Sequence, residues 1–180
     1  MNQHLVITAV GSDRPGVCNQ LVHHVTSAGC NIIDSRIALF GSEFTLIMLI
    51  SGSAPSVTRV ETTLPILGQE LDLITIMKRT SEHTKTSNDY KLDVVIESDD
   101  RIGLTEHVTQ FFAQRDIGLD ALSAQTLSKH KLGADQDQFH ISITASVGGS
   151  YNLMELQEQF DQFCSELGIK GSLNFIKSSQ

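Results

Sequence analysis

The sequence is poor in the features that build disulfide scaffolds, membrane spans or secretion signals. Its three cysteines, Cys18, Cys30 and Cys164, include no C-x-x-C pair, so neither a disulfide framework nor a thiolate zinc site is indicated, and we interpret them as small apolar fillers. No apolar run approaches the roughly 20 residues that a membrane helix needs. Residues 1–4 lack the basic n-region of a signal peptide. We therefore expect a cytoplasmic protein that makes no membrane contact.

Positive charge is also scarce. The chain of 180 residues has 13 Lys and Arg against 21 Asp and Glu, a formal net charge of −8. Residues 1–90 carry 6 basic and 8 acidic side chains, and residues 91–180 carry 7 and 13, so that the halves have net charges of −2 and −6. No Lys/Arg cluster opposes this balance, and a phosphate backbone would be repelled. We expect no direct contact with nucleic acid.

Catalytic and metal-binding patterns are missing as well. The seven histidines include no His-x-x-x-His pair, which argues against a metal site. Ser12 and Ser98 have no identifiable base nearby in the sequence, and G-x-S-x-G does not occur. The sequence predicts no catalytic residues and no metal.

A short turn organises what is present. Residues 11–16, Gly-Ser-Asp-Arg-Pro-Gly, separate an apolar run at 5–10 from an amphipathic segment that begins at Val17. Free amides at the start of a helix lie at the positive end of its dipole and can receive a carboxylate. Asp13 either caps this helix or holds an ammonium group. Arg14 is either a ligand clamp or a surface charge.

The turn occurs twice. Residues 97–103, Glu-Ser-Asp-Asp-Arg-Ile-Gly, again follow a strand-like run and precede an amphipathic segment, and Asp13 aligns with Asp100 at an offset of 87 residues. The chain is therefore interpreted as an internal duplication of about 90 residues per copy.

Each copy has the order β-α-β-β-α-β. In the first, apolar spacing predicts a strand at 4–10 buried on both faces, a helix over 17–28, and a hairpin closed by Gly41 and Ser42. A second helix begins at Pro55, is kinked at Pro65 and ends at Gly68, before a strand at 71–77. This order builds a four-stranded antiparallel sheet with two helices on one face, an α+β, ferredoxin-like fold.

Domain boundaries follow from composition. We expect one domain over residues 1–79, a polar linker over 80–90, and a second domain over 91–180. In the second copy the hairpin strands fall at 119–127 and 138–147, joined by a long polar loop. The last helix is the best specified, with Asn152 as its cap, Glu155 at the capping-box position and Gly168 at its end.

Two βαββαβ copies, each with an Asp-Arg-x-Gly turn, resemble the ACT family of small-molecule regulatory domains. Asn31-Ile32 is also typical of that family. Its ligand site lies where the first loop of one copy faces the start of the second strand of a neighbouring copy. The resemblance implies a site in the first half, formed by Asp13, Arg14, Pro15, Gly16, Asn31 and Ile32. The matching positions of the second half are Asp100, Arg101, Gly103, Gly118 and Leu119.

The second half departs from the family pattern at two positions. Ile102 replaces the proline and Gly118 replaces the asparagine. We therefore favour the first half as the binding site, with the second half completing an interface.

Two such copies occupy nearly the whole chain, which is similar to the members of this family that repress glycine cleavage genes. The resemblance implies an effector amino acid, glycine foremost, no other cofactor, and a LysR-type transcription activator as partner. The alternative is a tandem module that binds another amino acid, or none, and allosterically regulates a metabolic enzyme. A hydrolase is the third interpretation, and the absence of an activated nucleophile argues against it. Open sheet edges permit a homo-oligomer.

Overall fold

A computed structural model of the chain describes residues 2–81, 90–128 and 137–177. The chain divides into two compact units, Met1–Thr84 and Lys85–Gln180. Among the helices of the described ranges, none is long and apolar enough to cross a membrane.

The first unit has the predicted element order. Its elements are β1 (Gln3–Ser12), α1 (Val17–Ser27), β2 (Asn31–Phe40), β3 (Glu43–Gly52), α2 (Ala54–Glu70) and β4 (Leu73–Thr80). The strands form an antiparallel sheet in the order β2-β3-β1-β4. Gly41, at φ 64°, turns the β2–β3 hairpin, a backbone conformation that glycine adopts without strain.

The second unit repeats this architecture. Its elements are β5 (Tyr90–Asp99), α3 (Leu104–Ala113), β6 (Leu119–Leu127), β7 (Gln138–Val147), α4 (Leu153–Leu167) and β8 (Lys170–Lys177). The strand order β6-β7-β5-β8 is equivalent to that of the first sheet. The predicted fold class, two ferredoxin-like α+β domains, is therefore confirmed.

The domain boundaries stay a prediction. Of the expected linker, Thr80 lies in β4 and Tyr90 lies in β5, while residues 82–89 lie outside the described residues. Most of the expected polar hairpin loop, residues 129–136, lies outside them too.

Each unit has its own hydrophobic core between its sheet and its two helices. In β1, the side chains of Leu5, Ile7 and Ala9 are fully buried, whereas Val6 and Val10 are only half-buried. The prediction that this strand is buried on both faces was wrong, because both helices cover the same face of the sheet. The opposite face of the first sheet is consequently open and partly apolar.

The end of α2 also differs from the prediction. The helix runs unbroken through Pro65, passes Gly68 and ends at Glu70. A Cβ on Gly68 would lie 2.9 Å from the Thr75 side chain of β4, so glycine permits close packing there rather than stopping the helix. Asp72, at φ 54°, takes the left-handed conformation instead.

The last helix matches the prediction. The Asn152 side chain accepts a hydrogen bond from the Glu155 amide at 3.2 Å, and Gly168 ends the helix at φ 62°. Cys30 and Cys164 are buried as fillers. Burial and the nearby Asp161 raise the pKa of the Cys164 thiol to about 11, which keeps it protonated and unreactive at neutral pH.

Candidate functional site

The predicted binding turn of the first unit, residues 13–16, is exposed at the hairpin end of the sheet. The Asp13 amide donates to the Ser42 carbonyl at 3.1 Å, which ties the turn to the β2–β3 hairpin. Gly16, at φ 90°, is the N-cap residue of α1, and no side chain caps the helix. Asp13 is therefore not the helix cap, and the amides at the start of α1 lack a side-chain acceptor.

Arg14 anchors the turn to the second helix of the unit. Its guanidinium donates to the carbonyl of Leu71, the C-cap residue that follows α2. Arg101 makes the same contact in the second unit, where it donates to the carbonyl of Leu167 at the end of α4. A cation is favourable at a helix C-terminus because it meets unpaired carbonyls and the negative end of the dipole. Both arginines thus hold the turns in place.

The aspartates of the two turns differ. The hydroxyl of Thr126 donates to Oδ2 of Asp100 at 3.2 Å. The Asp13 carboxylate has no hydrogen-bond or ion-pair partner within residues 2–81, 90–128 and 137–177. An anion is therefore available for a ligand at the first turn and is already engaged at the second.

The first unit does not bring all of its predicted site residues together. Asn31 pairs with Ser51, which pairs with His4 near the start of β1, whereas the turn follows Ser12 at the other end of β1. Eight residues of β1, at about 3.3 Å each, lie between His4 and Ser12, so Asn31 and the turn are about 26 Å apart along the strand direction. One site can contain both groups only if they come from two copies of the fold.

Asn31 and Ile32 lie beside a β-bulge that sequence reasoning did not find. The β2–β3 register shifts between Ile32 and Asp34, and the bulge residue, Ile33, is about half exposed. A bulge removes one residue from the ladder and redirects its backbone. The Ile32 side chain packs against the core, so only its main chain is free to meet a ligand.

The candidate residues of the second unit lie at the same places in the fold as those of the first, but their side chains differ. Gly103 is the N-cap of α3 at φ 87°, Ile102 is fully exposed, and Leu119 packs against the second core. A Cβ added at Gly118 would have no atom within 4 Å. A second bulge lies between Leu119 and Ala121.

No cluster of three or more His, Cys, Asp or Glu within the described part of the chain is arranged to hold a metal ion.

Comparison with known proteins agrees with this architecture. The ACT domain model matches residues 3–78, within the first unit. A glycine cleavage system transcriptional repressor from Escherichia coli (strain K12) is 41% identical over 180 residues, which cover 99% of this chain and 94% of that protein.

Similar crystal structures include two that cover nearly all of the chain. One, of a protein assigned as a glycine cleavage system transcriptional repressor, is 63% identical, with a TM-score of 0.72 and 99% of each chain covered. The other, of an unknown protein from Galdieria sulphuraria, is 21% identical, with a TM-score of 0.76 and 98% and 99% of the chains covered; it supports the fold alone. The Escherichia coli relative and the protein of the first crystal structure are both named as transcriptional repressors of the glycine cleavage system. The chain belongs with them to the ACT-domain family and is, like them, a regulator.

Proposed function

We propose that the chain senses glycine in the cytoplasm and represses glycine cleavage genes indirectly, by binding a LysR-type activator. The observation that supports this most is the state of the first turn. It is exposed, it presents amides without a side-chain cap, and it carries the unpartnered carboxylate of Asp13. These groups match the carboxylate and the ammonium of a free amino acid.

A complete site takes its two ends from different copies of the fold. When the β2 edges of two chains pair antiparallel, Asn31 of one chain lies beside the hairpin end of the other chain's first unit, close to its turn. The turn amides then bind the effector's carboxylate, while Asp13 or Asn31 binds its ammonium group. The main chain of Ile32 closes the site, and the Arg14 anchor keeps the turn in its binding conformation.

Selectivity for glycine follows from the size of such a site. A side chain on the effector would have to fit between the turn and the neighbouring strand, and rejecting one methylene-sized group contributes about 1–3 kcal/mol. In calorimetric titrations we expect glycine to bind about 10- to 100-fold more tightly than alanine, and serine more weakly still. Equal affinities, or the absence of heat with all three amino acids, would contradict the proposal.

A matched pair of variants assigns the site within the chain. Gly16 and Gly103 have nearly the same φ, 90° and 87°, so alanine strains both turns to a similar extent. Gly16→Ala should weaken glycine binding at least tenfold, since it shifts the turn amides and adds a methyl group. Gly103→Ala should leave the affinity unchanged. The opposite result would move the site to the second turn.

The indirect route is supported by charge. A net charge of −8 disfavours contact with DNA, and the relatives are repressors by name. A protein partner that itself binds DNA reconciles the two observations.

Co-purification from cells separates this function from the alternative regulator. We expect the tagged chain to retain a LysR-type transcription factor, with an amount that changes when glycine is added. Retention of a metabolic enzyme instead, or of a factor that does not respond to glycine, would favour a tandem module that regulates an enzyme. Glycine-insensitive Gly16→Ala serves as the control for the effector's influence.

A further inference from the structure

The two sheets differ on the face that their helices leave uncovered. In the first sheet, three rows of four residues cross this outer face, as the strand registers define them. Seven of the twelve positions are apolar, and the three isoleucines among them are 46% to 70% exposed. The rows are Asp34-Leu49-Val6-Lys78, Arg36-Ile47-Thr8-Ile76 and Ala38-Thr45-Val10-Ile74.

The equivalent rows of the second sheet are polar. Only Ala121 and Val95 are apolar among their twelve positions, and Asp120, beside them, accepts a hydrogen bond from Ser146 at 2.6 Å. The same fold thus has a polar outer face in the second unit and a largely apolar one in the first. The rows are Ala121-Thr144-Asp93-Asn174, Ser123-Ser142-Val95-Ser172 and Gln125-His140-Glu97-Lys170.

We propose that the outer face of the first sheet is the docking surface for a second copy of this chain. An open face of an antiparallel sheet is normally polar, and a contiguous apolar patch marks an interaction site. The proposal gives a location to the self-association that the sequence permits, and it requires no effector.

Charge placement favours a second copy as the occupant. Lys78 and Asp34 lie at opposite ends of one row, on the two edge strands β4 and β2. A two-fold axis parallel to the strands places β4 of one copy over β2 of the other. Each row of residues then faces the same row of the second copy. Lys78 then meets Asp34 of the partner subunit at both edges of the interface, and the apolar centres meet between them.

Lys78 is available for this contact. It has no hydrogen-bond or ion-pair partner among the described residues, whereas Asp34 makes an exposed pair with Arg36 at 3.4 Å. Sheets that stack face to face lie about 10 Å apart, a gap that a lysine side chain and an aspartate can bridge together.

The area of the face is sufficient. Four strands about 4.8 Å apart, with eight residues at about 3.3 Å each, give a footprint of about 500 Å² per copy. Two facing copies therefore bury about 1,000 Å², which is the lower limit for a specific interface. We expect a reversible association rather than an obligate one.

Sedimentation velocity of the full chain over a range of concentrations, without added amino acid, tests the proposal. Ile76→Asp should raise the Kd of self-association at least tenfold. The Ile76 side chain is 64% exposed, so this change leaves the fold intact, as far-UV circular dichroism can verify. The matched control is Ile176→Asp, on the outer face of the second sheet and 51% exposed, which should leave the Kd unchanged.

Charge reversal tests the orientation. Lys78→Glu and Asp34→Lys should each weaken association, and the double variant should recover at least half of the loss in log Kd. A chain that stays monomeric at about 100 μM overturns the proposal, since specific association has a lower Kd, as does association that both isoleucine variants leave intact. Sedimentation is run without amino acid, so a chain that is monomeric there can still pair its β2 edges when glycine is added. Calorimetric titration with glycine tests that effector site separately.

Discussion

Phe160→Ala should lower the free energy of unfolding of the second unit by about 3–5 kcal/mol, the usual cost of truncating a fully buried phenylalanine. The Phe160 side chain is inaccessible to solvent. Its ring lies edge-on to Phe111, with 5.7 Å between the ring centroids, in the core between the sheet and helices α3 and α4. Since neighbours on all sides are packed, the cavity left by the missing ring cannot collapse fully.

The chain offers a selective probe for this measurement. It contains no tryptophan, and its two tyrosines, Tyr90 and Tyr151, both pack against the second core. Tyrosine fluorescence during urea unfolding therefore reports on the second unit, while circular dichroism reports on both units.

The matched control is Phe163→Ala, on the same helix. Phe163 is only half-buried, with its ring centroid 4.9 Å from that of Phe111, so its loss should be clearly smaller. A change below about 1 kcal/mol for Phe160→Ala, against the 3–5 kcal/mol expected for a buried ring, would show that the core is not packed as described.

Gly171→Ala should destabilise the same unit by about 1–3 kcal/mol through overpacking. A Cβ at this position of β8 would lie 2.9 Å from two atoms of the Phe160 ring and closer still to Sγ of Cys164. Both neighbours are buried, so neither can move aside. The backbone at Gly171 is not left-handed, so the added methyl group causes no backbone strain of that kind. Urea unfolding followed by tyrosine fluorescence measures the loss.

Two further variants separate collision from other causes. Gly148→Ala has no atom within 4 Å of the added methyl group and should change stability by less than about 0.5 kcal/mol. Cys164→Ala combined with Gly171→Ala removes the sulfur, and the double variant should be more stable than the sum of the single changes by about 1 kcal/mol or more. Strict additivity would refute the assigned contact.

Most of the fold follows from local signals. The cap of α4 needs only Asn152 and a glutamate three residues later, and the β2–β3 turn needs only Gly41 and its neighbour. Such signals act within a few residues. The repeated turn also indicated a duplication, so the same element order was expected in both halves. The predicted element order was therefore confirmed in both units.

The errors arose where one residue type has two uses. Gly168 ends α4 by taking a left-handed conformation, whereas Gly68 lies inside α2 because β4 approaches closely there. Nothing near either glycine in the sequence distinguishes these roles. The expected burial of β1 on both faces failed for a similar reason, since an apolar run does not reveal which face remains uncovered.

The turn of the candidate site could be identified from the sequence, but its tertiary contacts could not. The turn at 13–16 is evident from Asp, Pro and Gly. The anchor of Arg14, however, is the Leu71 carbonyl 57 positions away, and the bulge at Ile33 depends on pairing with β3. Tertiary contacts of this kind leave no local pattern.

The two arginine contacts affect what can be inferred from the number of Asp-Arg-x-Gly motifs in proteins of this type. Arg14 and Arg101 each fasten a loop to the far end of a helix, so architecture alone gives a reason for the motif to occur. Two motifs in a chain are then no guide to binding stoichiometry. A more informative marker is whether the aspartate beside the arginine is free, as Asp13 is within the described ranges, or already bonded, as Asp100 is to Thr126.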